Sequence, residues 1–295
     1  MHKAGSEMGL EKDLEALKEQ LGRTLVAHDV AAPVPMRGMS VAFNRQDEAP
    51  GIGSPIPLGW HAAYFLPATP AEQLNDDGTP RDNGVLPEMP LPRRMHVGTS
   101  VRFIAPIWVG DTLRRENKFS GIELREGRSG SLLVSTQTRS IFTPRGLALE
   151  EDFKQAHLPV SKPTGAPKNL GETPPSDAMW EKIFTPNAIN LFRYSALTFN
   201  PHRIHYDRSY AMDVEKFPGL VVHGMYTAQC LIDLARDCLP SANFTSFTFR
   251  AIQPLFESNP IRLIGRLSTD NPNMDELFAV NPDGQVATRA NMTYA

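Results

Sequence analysis

Three of the chain's eight histidines, His202, His205 and His223, fall between Phe192 and Met225, in the run FRYSALTFNPHRIHYDRSYAMDVEKFPGLVVHGM. Asn200 and Asp207 stand among them, and apolar runs flank the segment. A histidine, with an ordinary pKa of about 6.5, takes and returns a proton at neutral pH. So many proton-transfer and hydrogen-bonding groups in one apolar neighbourhood mark a site for acid/base chemistry. The pair His223-Gly224 opens a run that reads as a buried helix. Unpaired amides at such a start, with the helix dipole, suit a developing oxyanion, and glycine lets a substrate approach the backbone closely.

The other members of the segment admit plainer roles. Asp207 precedes RSYA and either caps that turn or joins the chemistry. His223 either orients the helix start and touches substrate or is structural. His202 and His205 are three residues apart, with Asp207 and His223 nearby, but HxxH spacing alone is a weak zinc signal, and no metal is expected.

A chain of 295 residues with 41% hydrophobic content has ample material for a core, in one large domain or two smaller ones. Its net charge of −3 carries no basic bias, which argues against nucleic acid as a partner. No apolar run approaches the ~18 residues of a spanning helix, and the first residues resemble neither a signal nor a transit peptide. A soluble protein of the cytoplasm is expected, with no membrane partner. Cys230 and Cys238 are eight residues apart on one predicted helix and cannot meet, so both are expected reduced.

The elements that must position the site read as follows. Leucines at 10, 14, 17, 21 and 25 predict one amphipathic packing helix. Residues 31 to 58, rich in Pro, Gly and Met, predict no regular core element beyond a short strand near Met39 to Asn44. Gly59 to Pro67 predicts a short buried helix, and the proline-rich stretch from Pro67 to Arg94 a long lid or binding loop. Antiparallel strands follow near Val101 to Ala105, Thr112 to Ser120 and Ser131 to Phe142, with a hairpin turn at 125 to 130. The prolines and polar residues of 156–176 predict a linker. Gly224 to Leu239 predicts a second, fully buried helix, and strands return in Phe244 to Phe256, in PIRLIGRLS, and in Glu276 to Val280 and Gln285 to Thr293.

Buried helix followed by antiparallel strands thus occurs twice. At a constant offset of 148, Pro106 falls on Pro254, Ile107 on Leu255, Trp108 on Phe256 and Leu113 on Ile261, as an internal duplication requires. The fold class is α+β, with copies over 1–155 and 177–295 joined by the linker.

A duplicated helix-in-sheet unit containing SALTFNPHRIHYDRSYA (195–211) and GLVVHGM (219–225) resembles the double hot-dog of the MaoC-like hydratases and dehydratases. The segments GWHAAYFLP, RFIAPIWVGDTLRR and EGRSGSLLV resemble its non-catalytic half. The TFNPHRIHYD spelling is similar to the branch that contains mitochondrial-type 3-hydroxyacyl thioester dehydratases and the mesaconyl-C4-CoA and itaconyl-CoA hydratases. The wider family's motif is Asp-x-Asn-Pro-x-His-x-Asp. Asn200, Pro201 and Asp207 match it, His205 matches the catalytic histidine after a two-residue insertion at His202 and Arg203, and Thr198 stands in place of the catalytic aspartate.

The resemblance implies a hydro-lyase acting on an acyl thioester. His205 would be the general base, Asn200 would hold the water or orient His205, and Gly224 would sit at the oxyanion position. Arg203, His223, Thr198, His202 and Asp207 would line the substrate, with Arg203 the candidate cation for a dicarboxylic acyl group. It also implies no metal or redox cofactor, since CoA or an acyl carrier protein arrives with the substrate. Only the C-terminal copy would be catalytic, with the N-terminal copy contributing contacts through its 67–94 loop. The chain would be a monomeric pseudo-dimer or a homodimer. Within the resemblance a small branched or dicarboxylic enoyl-CoA, mesaconyl-C4-CoA or itaconyl-CoA, is the first expectation and 3-hydroxyacyl thioester dehydration in fatty acid synthesis the alternative. A hot-dog thioesterase and a non-catalytic acyl-CoA sensor are the competing readings from other classes.

Overall fold

The computed structural model describes residues 2–82, 84–127, 130–159 and 172–295. The first copy contains α1 (His2–Lys18), β1 (Thr24–Val30), α2 (Pro33–Ala42), β2 (Arg93–Phe103), β3 (Thr112–Gly127), β4 (Gly130–Thr143) and β5 (Gly146–Leu158). The second contains β6 (Trp180–Phe184), α3 (Ala188–Thr198), α4 (Gly224–Cys238), β7 (Phe244–Ala251), β8 (Ile261–Leu267), β9 (Met274–Val280) and β10 (Val286–Tyr294).

All ten strands join one antiparallel sheet in the order β1-β3-β4-β5-β2-β7-β10-β9-β8-β6. Read outward from the centre, each half repeats the same sequence of strands, so the chain is a double hot-dog. The halves meet where β2 pairs β7, with Gly98 opposite Arg250, Ser100 opposite Thr248 and Arg102 opposite Ser246. Those pairs are symmetric under the 148-residue offset, which places a pseudo-two-fold axis at Ser100 and Thr248, whose hydroxyls bond at 2.8 Å. The kink repeats as well. The amides of Ile104 and Ala105 both donate to the Ala148 carbonyl, and those of Ile252 and Gln253, 148 positions on, both donate to that of Ala287.

The copies differ in what they wrap. In the second, α4 runs through the core, with Tyr226, Leu231, Leu234 and Ala235 buried against Phe247, Leu263, Leu277 and Ala290. Each large apolar side chain so buried contributes about 1.5–3 kcal/mol. In the first, the helix expected over Gly59 to Pro67 is only a single 3-10 turn, Trp60–Ala63. Gly59 before it has φ +84°, and a Cβ there would lie 2.0 Å from Gln229 Oε1 on α4, so the turn presses directly on the other copy's helix.

Several expected elements are corrected. The leucine stripe does not make one helix, because α1 ends at Lys18 and Gly22, at φ +95°, turns the chain into β1. Leu10, Leu14 and Leu17 pack in a satellite core, whereas Leu21 and Leu25 are exposed. The strand expected near Met39 to Asn44 is the end of α2. Its two prolines occupy the first turn, where a helix needs no N–H donor, and Met36, Met39 and Ala42 are buried. Gly38 on α2 has no room for a side chain, since a Cβ would lie 2.3 Å from Leu197 of α3. The structure adds β1, β5, β6 and α3 to the elements expected from the sequence. The linker begins later than 156, because Ala156 and His157 are buried in β5; residues 160–171 lie outside the described set, as does the 128–129 tip of the expected hairpin.

Candidate active site

The histidine segment is held by short-range hydrogen bonds before any tertiary contact. Asn187 caps α3 through the amides of Ile189 and Asn190. The helix stops at Phe199, which is left-handed at φ 49°, and the Asn200 amide closes back onto the Ser195 carbonyl at 2.8 Å. The Asn200 side-chain oxygen accepts the His202 N–H at 3.1 Å, which sets the bend leading into the 3-10 turn Arg203–His205. Thr198 donates to the Tyr194 carbonyl inside α3.

His205 lies at the end of that turn, 8% exposed. Its Nδ1 is 2.8 Å from the Val221 carbonyl. A carbonyl only accepts, so Nδ1 carries the proton and Nε2 keeps its lone pair. Burial pushes the ring's pKa down to about 3, with His202 adding to the effect, so the imidazole is neutral near pH 7. The His223 ring stacks on it at 3.7 Å, and His202 meets it edge-on at 5.4 Å. His223 is the N-cap residue of α4; its Nε2 pairs with the Ser195 hydroxyl at 2.8 Å, while its Nδ1 is buried with no partner. Burial also drives the His223 pKa well below the ordinary value, with His205 adding to the shift. The fold therefore brings His202, His205 and His223 together at the start of α4, where Gly224 and the next amides lack intrahelical partners.

Gly224 is not demanded by packing. The nearest atom to a Cβ placed there would be His96 Nδ1, at 3.8 Å. His96 comes from β2 of the other copy, with Nε2 against Gly98 O and Thr99 Oγ1, and its ring stacks on Phe153 at 4.3 Å.

The 67–94 loop reaches the motif directly. The Asp77 carbonyl takes the Arg203 N–H, that of Asp76 takes the Arg203 guanidinium, and the Asp77 carboxylate stands 3.9 Å from His202. Gly78, at φ +88°, has no space for a side chain: a Cβ would lie 1.9 Å from the Pro201 carbonyl oxygen. Two residues expected on the substrate are engaged elsewhere. Asp207 takes the Tyr210 N–H and pairs with Arg203 at 2.8 Å, and Arg203 also lies over the Tyr210 ring at 4.2 Å. Ser195, His96 and Asp77 also join the site. Ser195 lies inside the quoted motif and Asp77 inside the 67–94 loop expected to contribute contacts, whereas His96 comes from β2 of the opposite copy and no local pattern points to it.

The double hot-dog is the fold of the MaoC-like class. A solved MaoC-like dehydratase shares the fold with TM-score 0.70 over 94% of this chain and 99% of its own, at 14% identity. The chain belongs to the hydroxyacyl-thioester dehydratase type 2 family, whose sequence model matches residues 59–257. It is 39% identical over 272 residues to the mesaconyl-C(4)-CoA hydratase of Chloroflexus aurantiacus, covering 92% of this chain and 95% of that enzyme. It is 30% identical over 230 residues to the mitochondrial hydroxyacyl-thioester dehydratase type 2 of Schizosaccharomyces pombe, covering 70% of this chain and 76% of the relative.

Proposed function

We propose that the protein is a hydro-lyase that adds water across, or removes it to form, the α,β double bond of a CoA thioester, with a small dicarboxylic enoyl-CoA such as mesaconyl-C4-CoA as substrate and itaconyl-CoA as the alternative. The single observation that carries the reading is the His205 ring, neutral, tautomerically set by the Val221 carbonyl and adjacent to the open start of α4. In hydration, His205 Nε2 takes a proton as the water oxygen bonds to the β-carbon. The displaced π electrons move into the thioester carbonyl. The enolate oxygen is received by the first amides of α4 at Gly224. Collapse of the enolate returns the proton from the His205 imidazolium to the α-carbon, so water is consumed and nothing is oxidised. The hydroxyl of Ser195 holds His223, whose stacked ring fixes the plane of His205. Asn200 acts on the backbone at His202 and so on the turn that carries the base. The reaction calls for no metal or redox cofactor, because the CoA belongs to the substrate. Cytoplasmic location fits this reading, and among the described residues no helix is long and apolar enough to cross a membrane.

The test follows loss of enoyl-thioester ultraviolet absorbance with crotonyl-CoA, mesaconyl-C4-CoA and itaconyl-CoA, beside a thiol reagent. Loss of absorbance without thiol release is expected, and His205→Ala should lower its rate by about 10²–10⁴-fold. Thiol release in step with the absorbance change would instead identify a thioesterase. Full activity in His205→Ala would remove this residue from the role of base.

A further inference from the structure

The duplication exposes a difference between the copies that the thioester chemistry does not use. Across the inner face of the second sheet, Phe249, Ala290, Leu277 and Gly265 stand side by side under α4. The repeated kinks at Ala148 and Ala287 place Val101, Glu151, Arg139 and Asn117 at the matching positions of the first sheet. A row that is apolar beneath a helix has become charged where the helix is reduced to one turn. Glu151 is 4% exposed, and buried charge of this kind is costly unless partnered.

The partnering is incomplete, and it is short of an anion. Arg139 Nη1 reaches Glu151 at 3.1 Å, but Arg139 Nε is buried with no partner. Arg115, in the neighbouring row, has no carboxylate within 4.0 Å among the described residues; it touches only the Phe65 carbonyl at 3.5 Å and the Phe65 ring at 4.7 Å. Burial, with Arg139 adding to it, pushes the Arg115 pKa down to about 10. The other nearby acid, Asp29, is committed to the backbone amides of Val30 and Phe65. Two guanidiniums thus face one available carboxylate.

These groups also lie toward the reaction centre. Arg139 sits 4.1 Å over the Phe153 ring, Phe153 stacks on His96, and His96 faces Gly224. Between this face and α4, Glu151, His61, Thr99 and Gln229 share the lining of a cavity of ≈ 20 Å³, room for a group the size of a water, with mostly apolar neighbours such as Val101 and Phe249. In a four-carbon monothioester the free carboxylate lies about 4 Å beyond the thioester carbon, and from Gly224 the contacts toward this row run through His96 and Phe153.

We propose that Arg139 and Arg115 are the specificity residues that receive the free carboxylate of a dicarboxylic acyl thioester, an assignment that rests on the hydratase reading above and replaces Arg203 in that role. Arg139 offers its remaining N–H donors as a fork while Glu151 holds it in place, and Arg115 supplies the second cation. An alkyl chain would strand these polar groups, so long-chain acyl thioesters are excluded.

The test compares kcat/KM for mesaconyl-C4-CoA and crotonyl-CoA, which both carry one methyl group on the β-carbon and differ in composition only by the carboxylate on that carbon. The variants are Arg115→Gln, which breaks no ion pair within 4.0 Å, and Arg139→Gln/Glu151→Gln, which removes both members of a buried pair and strands neither. The native protein should favour the dicarboxylic substrate, and each variant should lower the ratio of the two kcat/KM values by about 30-fold or more. A ratio within about twofold of native, or equal loss on both substrates with a lowered Tm, would overturn the carboxylate assignment and leave the hydratase reading standing. A native protein inactive on both thioesters would overturn the hydratase reading and this proposal with it.

Discussion

At the scale of the residue, the environment of His205 has a consequence for pH. Its folded pKa is near 3, far below the ordinary value, so the base is already deprotonated throughout the neutral range. Deprotonation is what the role requires, and kcat/KM should therefore stay flat from about pH 8 down to about pH 5.5, with no inflection at the ordinary histidine pKa of about 6.5. An acidic limb near 6.5 that disappears in His205→Ala would contradict the neutral, buried base. The residue itself was legible from its motif. Its tautomer was not, because that depends on the Val221 carbonyl, sixteen positions away across a loop. Neither could the motif show that Arg203 and Asp207 would pair with one another.

At the scale of the element, two glycines separate a functional opening from a structural joint. Gly224 has free space beside it, so Gly224→Ala should leave Tm within a few degrees of native while lowering kcat/KM by about tenfold or more, through the extra methyl at the oxyanion position. Gly78 is the reverse. Its positive φ and the Pro201 carbonyl leave no room, so Gly78→Ala should destabilise the protein by about 1–3 kcal/mol, read by chemical denaturation, and detach the loop that meets His202. A Gly78→Ala protein of native stability would mean that the loop is not docked on the motif. Periodicity revealed α4, whose apolar pattern is continuous, but misjudged α1, α2 and the turn at Trp60. In each of these, a glycine or proline with a position-specific role was decisive.

At the scale of the whole molecule, the site's histidines make stability depend on pH. His61, His96, His157, His205 and His223 are all held neutral by burial, which is the first cause of each lowered pKa. Above the ordinary pKa both folded and unfolded chains carry these rings neutral, and they contribute nothing to the pH dependence. As pH falls below about 6.5 the unfolded chain binds protons that the folded chain refuses, and each ring withdraws up to about 1.4 kcal/mol per pH unit. Tm should therefore fall steeply between about pH 6.5 and 4, with net proton uptake on unfolding; a Tm independent of pH over that range would show that these rings are not buried neutral. The sequence alone determined the duplication, the position of the central helix and the histidine segment, because hydrophobic periodicity and short-range turn chemistry are written locally; the double hot-dog came from the family resemblance that those motifs carry. Only the tertiary structure decided that His96 reaches the second copy's site, that Asp77 is the member of the 67–94 loop that meets His202, and that Arg115, Arg139 and Glu151 come together on adjacent strands of the first copy. Those are pairings across the pseudo-two-fold axis and across strands, set by sheet register and burial, and no stretch of chain encodes them by itself.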